Sequence, residues 1–117
     1  MNSALIGLWM VFTAQLGGQD ITSTMNSITL QINGDDFAVI VRGEVADGGR
    51  LEFKSGYDLD VIGLTGVNKG KTFKCIFKTE GDYLTICYNM DVNGDRPTDF
   101  VSPTGTKILL VTYQKKQ

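Results

Sequence analysis

The chain is 117 residues long, with 42% hydrophobic and 21% charged residues and a formal net charge of −2. That length predicts a single domain over 1–117, burying roughly two-thirds of its unfolded surface; the composition excludes a disordered chain, and the charge offers phosphate no general attraction, so no nucleic-acid partner is expected. The absence of histidine removes the commonest general base and transition-metal ligand, and two cysteines are too few for a disulfide scaffold.

The first apolar run, Ala4 to Phe12, has the hydrophobicity of a signal-peptide core. No Lys or Arg precedes it, and Gly7 and Trp9 interrupt it. It is also far short of the roughly 20 residues that cross a bilayer. It therefore reads as the first strand of the mature domain, Leu5 to Ala14, with no membrane span and a cytoplasmic location expected. Gly17-Gly18 ends that strand, and the polar stretch Gln19 to Asn26 is a connector able to hold one helical turn.

From Ser27 the alternation is clean, with Ile28, Leu30 and Ile32 set against Thr29 and Gln31. Asn33-Gly34-Asp35-Asp36 has the composition of a hairpin turn. Pairing Ile32 with Phe37, Leu30 with Val39 and Ile28 with Val41 then keeps one apolar face. Asp47-Gly48-Gly49 reads as the next reversal, leading into Leu51 and Phe53. Tyr57 to Leu64 is a further strand whose facing the pattern leaves open, and Asn68-Lys69-Gly70 turns the chain again.

The stretch from Lys71 to Phe100 organises the rest. Phe73, Cys75 and Phe77 alternate with Lys74, Ile76 and Lys78; Leu84, Ile86 and Tyr88 alternate with Tyr83, Thr85 and Cys87. A Glu80-Gly81 reversal pairs Phe77 with Leu84, Cys75 with Ile86 and Phe73 with Tyr88, placing both apolar sets on one face. The same phase puts the cysteines on opposite faces, which predicts two free thiols. Beyond Pro97 a short strand over Asp99 to Ser102, a turn at Pro103-Thr104-Gly105 and a closing strand over Lys107 to Tyr113 complete the chain.

No segment keeps a helical period. About eight to nine short strands with glycine-rich turns predict an all-β fold, a small antiparallel up-and-down barrel. Closure would bring the first strand against the last, both apolar on two faces. Their outer faces would then need a cover, for which a second copy of the chain and the connector Gln19 to Asn26 are the two candidates.

Leu5-Ile6-Gly7-Leu8-Trp9 resembles the Gly-x-Trp opening of lipocalin-like domains. The ordered set Gly70-Lys71-Thr72, Gly81-Asp82-Tyr83-Leu84, Ile86-Cys87-Tyr88, Arg96-Pro97-Thr98-Asp99-Phe100 and Ile108 to Val111 resembles a bacterial lipocalin-like domain family abundant in planctomycetes. The resemblance spans nearly the whole chain. It departs at Cys75-Ile76-Phe77, where that family usually has Gly-Ile-Tyr, and at Gln114-Lys115-Lys116, where it usually ends in arginine. The resemblance implies a lipocalin-like β-barrel with an apolar cavity and no established reaction. It also implies that Trp9 sits at a closed barrel end under a basic side chain, with Arg96 the first candidate and Lys115 its rival.

The expected inward set is Phe37, Val39, Val41, Leu51, Phe53, Phe73, Phe77, Leu84, Ile86 and Tyr88. These side chains either line a pocket for a small apolar or amphipathic ligand, or fill the interior; eight-stranded barrels have room for either. The ligand-binding candidates are Phe37, Val39, Phe53, Phe73, Phe77, Ile86 and Tyr88, with Arg96 the candidate grip for a ligand carboxylate. Asp91-x-Asn93-x-Asp95 lacks the glycine and glutamate that complete a calcium loop, so it reads as a turn. An inward Cys75 among phenylalanines has a disfavoured thiolate and no histidine to activate it. The expectation is a non-catalytic binding barrel without cofactor or metal. A solid-cored interaction module that associates through its terminal strands is the alternative.

Overall fold

The computed structural model describes residues 3–116. Among these residues a 3₁₀ turn (Ser3–Leu5), nine strands and one α-helical turn follow in chain order: β1 (Gly7–Leu16), β2 (Gln19–Asp20), α1 (Thr22–Met25), β3 (Ile28–Asn33), β4 (Asp36–Val41), β5 (Glu44–Phe53), β6 (Asp58–Gly66), β7 (Thr72–Glu80), β8 (Tyr83–Asn89) and β9 (Ile108–Lys115). Eight of the nine form a closed antiparallel barrel; β2 is a short addition along the end of β1. β1 closes the sheet by pairing with β3 from Gly7 to Met10 and with β9 from Trp9 to Leu16. The first and last strands meet, so this barrel has no open sheet edge along its length.

Turn chemistry sets the registers. The β3–β4 hairpin pairs Ile32 with Phe37, Leu30 with Val39 and Ile28 with Val41, as its alternation predicts. The β7–β8 hairpin differs from the sequence reading by two residues: Phe77 faces Ile86 and Cys75 faces Tyr88. Its turn is Gly81-Asp82, not Glu80-Gly81. Glycine at the first central position takes a φ of 58°, as a type II′ hairpin requires. A two-residue shift leaves the inward and outward sets unchanged, because side chains alternate with period two.

The reversal before β5 also lies elsewhere than expected. Arg42-Gly43 makes it, with φ of 53° and 82°, the paired positive values of a type I′ turn. Asp47-Gly48-Gly49 lies in the middle of β5, where the pairing slips against both neighbours. Glycine is needed there for close backbone approach rather than for turning. A Cβ on Gly49 would stand 1.8 Å from the Ile62 carbonyl oxygen. In β6 the buried side is Leu59, Val61 and Gly63.

The strand expected over Asp99 to Ser102 does not form. With the sheet closed there is no edge for it to join, and residues 90–107 instead cross the outside of the barrel. Arg96 anchors this strap: Nη1 donates to the carbonyls of Leu59 (3.0 Å) and Cys75 (2.9 Å), and Nη2 to Asp60 Oδ1 (2.7 Å). Further along, Lys78 Nζ lies 4.7 Å from the centre of the Phe100 ring. Ser102 Oγ donates to the Ile108 carbonyl and accepts from Gly18 N–H. Cys87, outward and fully buried, points its thiol at the strap carbonyls of Asp99 and Val101. Cys75 is fully buried on the inner face; both thiols are free.

Candidate functional site

The barrel is solid at one end and hollow at the other. At the solid end a 3₁₀ turn over Ser3–Leu5 brings Leu5 beneath the strands. Trp9, 2% exposed, donates its indole N–H to the Leu5 carbonyl at 2.9 Å. The cation over Trp9 is Lys115, with Nζ 5.6 Å from the ring centre. Arg96 therefore fills neither expected role: it does not pack on Trp9 and does not point into the lumen, because Asp58, Asp60 and two carbonyls hold it on the outer wall. Phe53 and Phe77 meet edge-on at 5.5 Å and fill space beside Leu59 and Leu84.

Above this plug lies a cavity of about 290 Å³. Of the ligand-binding candidates, Phe37, Val39, Phe73, Ile86 and Tyr88 line it; Phe53, Phe77 and Arg96 do not. Met25 of α1, Val67 and Asn68 of the β6–β7 turn, and Met90 at the start of the strap contribute at the mouth. The sequence reading passed over these residues because their roles come from tertiary placement. Trp9 lies outside the lining, so its fluorescence is a poor reporter of cavity filling.

Two polar pairs interrupt the apolar wall. Tyr88 and Tyr113, on β8 and β9, share a hydroxyl–hydroxyl hydrogen bond of 2.7 Å. On β5, Asp47 is 7% exposed. Its Oδ1 accepts from Gly48 N–H at 3.1 Å and its Oδ2 from Asn68 Nδ2 at 2.7 Å. The bare backbone at Gly63 permits this second contact: a Cβ there would sit 2.0 Å from the Asn68 carbonyl oxygen, blocking the turn from folding over β6.

Burial pushes both tyrosines up, Tyr88 well above the usual phenol range and Tyr113 to about 12. The unfolded chain releases these protons near pH 10, whereas the folded chain holds them longer. Their contribution to stability is thus fully present below about pH 10 and is lost as pH rises through the folded values. Tyr113 alone accounts for roughly 2–3 kcal/mol over that window. In an alkaline titration, tyrosinate absorbance should stay short of its full value until near-ultraviolet circular dichroism collapses. Complete ionisation of a still-folded chain near pH 10 would contradict the buried pair.

Burial also raises the Cys75 thiol well above its ordinary range and raises Cys87, so neither is primed as a nucleophile. Asp91 to Asp95 forms a turn in which Asp91 Oδ1 accepts from Asn93 N–H at 3.0 Å. Among the described residues no three His, Cys, Asp or Glu side chains converge as metal ligands. No family model matches the chain, and no curated protein matches it significantly.

Proposed function

We propose that this β-barrel is a lipocalin-like carrier that holds one small apolar or amphipathic molecule without chemically changing it. The observation that carries the reading is the division of the interior. Phe53, Phe77 and Trp9 make one end solid, while Phe37, Val39 and Phe73 surround an apolar void of about 290 Å³. Pockets of this kind, mostly apolar with a few placed polar groups, suit drug-sized ligands. A barrel serving only as a rigid module would gain stability from filling such a void, since each missing methylene costs about 1 kcal/mol.

A second reading draws on a different face. Leu8, Met10 and Phe12 on the outer side of β1 are 37%, 45% and 52% exposed. An apolar stripe of this kind suits self-association through the terminal strands.

One experiment addresses both. N-phenyl-1-naphthylamine, a neutral dye that brightens out of water, should bind one per chain with a Kd on the order of micromolar. Val41→Trp, which narrows the mouth, should abolish the signal. Native mass spectrometry of the same samples reads the bound mass and the number of chains together. A monomer that takes up dye supports the carrier; a dimer that takes up none supports the interaction module.

A further inference from the structure

We infer that the cavity selects an amine-headed apolar ligand and rejects carboxylate-headed ones. The inference rests on the carrier reading above and narrows its ligand class. The side chains lining the cavity include one carboxylate, Asp47, and no lysine or arginine. Asp47 is also buried and takes part in none of the ion pairs found among the described residues. Buried carboxylates are ordinarily paired. Asp60, a half-buried carboxylate on the neighbouring strand, follows that rule through Arg96 and Lys54.

The partners Asp47 does have are neutral donors, Gly48 N–H and Asn68 Nδ2. A carboxylate offers about four acceptor positions, so capacity remains for a donor arriving through the cavity. An ammonium would satisfy it with charge-assisted hydrogen bonds, shorter and stronger than neutral ones. Asn68 belongs to the β6–β7 turn at the mouth, so this head would sit there while an alkyl tail reaches down past Phe37, Val61 and Ile86.

A fatty acid would face the opposite situation. Its head could take one hydroxyl proton from the Tyr88–Tyr113 pair, because two hydroxyls hold two protons and their mutual bond uses one. That single neutral donor is no counter-ion. The ligand's own charge would share an apolar-walled cavity with Asp47, where like charges repel.

The test is a matched head-group series on the intact chain. Decylamine, 1-decanol and decanoate, each below its micelle concentration, displace N-phenyl-1-naphthylamine from the cavity. The amine should bind about tenfold or more tighter than decanoate, with the alcohol between them. Asp47→Asn keeps an acceptor oxygen for Gly48 N–H, and its amide N–H can donate to Asn68 Oδ1 once the Asn68 amide turns over. It should bring amine and carboxylate within about twofold of each other and leave the alcohol unchanged. If that variant melts early, the series on the unmodified chain still decides. Decanoate binding as tightly as decylamine would overturn the inference while leaving the carrier reading intact. The same holds if the dye binds and no decyl compound displaces it. Failure of the dye itself to bind would remove both.

Discussion

Trp9→Ala is expected to cost about 3–5 kcal/mol of folding free energy, the range for truncating a large buried aromatic. Three contributions can be separated by size. Trp9 is 2% exposed against Leu5 in the solid end of the barrel, so the loss of burial and the hole left behind dominate. The Leu5 carbonyl loses its indole partner, which adds about 1 kcal/mol or more if no water replaces it. The Lys115 contact over the ring, with Nζ at 5.6 Å from its centre and Lys115 half-buried, adds about 1 kcal/mol. Trp9→Phe keeps a ring for Lys115 and part of the packing, so it should fall between wild type and alanine; Lys115→Met should lose only the cation. Urea unfolding measures all three, and a Trp9→Ala cost below about 1 kcal/mol would mean that the closed end is not a packed plug. Dye binding at the far end should persist in whatever fraction of Trp9→Ala remains folded, because Trp9 does not line the cavity.

What the sequence makes legible is phase, and what it hides is anything set by a second strand. Alternation along β7 and β8 identifies Phe73, Phe77, Ile86 and Tyr88 as one face. Alternation is blind to a shift of two residues, and only the preference of Gly81 for the first turn position fixes the observed register. The turn composition of Asp47-Gly48-Gly49 suggests a reversal; its place inside β5 depends on how near β6 comes. A clue was present in Arg42-Gly43, which leaves β4 at six residues and makes an Asp47 turn late by several. Asn68 looks like any turn residue until Gly63 lets it reach Asp47. Arg96 is unreadable for the same reason: the carbonyls it grips belong to strands 21 and 37 residues away in sequence. The candidate pocket walls, Tyr88 among them, were therefore half visible, while Asp47 and Asn68 were not.

Gly49→Ala is expected to do more damage than any other single methyl group added to β5. The new Cβ would stand 1.8 Å from the Ile62 carbonyl oxygen and 3.0 Å from Leu64 N. Both are backbone atoms of a paired strand, so no side chain can swing aside and the strands must part. Overpacking in a tight site ordinarily costs about 1–3 kcal/mol, and a clash against backbone on this scale should reach or exceed the top of that range. Gly105→Ala is the control that separates crowding from backbone strain. Its φ of 81° is unfavourable to alanine, but nothing lies within 4 Å of its Cβ position, so about 1 kcal/mol is expected. The two variants should also differ in binding. Gly49 lies two residues beyond Asp47, where β5 slips against both neighbours. Displacing β5 from β6 pulls Asp47 away from Asn68 and deforms the cavity wall, whereas Gly105 lies in the turn before β9. Under conditions where both variants remain folded, Gly49→Ala should lose N-phenyl-1-naphthylamine binding and Gly105→Ala should retain it. A Gly49→Ala chain with wild-type stability and wild-type dye affinity would show that β5 and β6 do not approach this closely, and the placement of Asp47 in the cavity would fall with that approach.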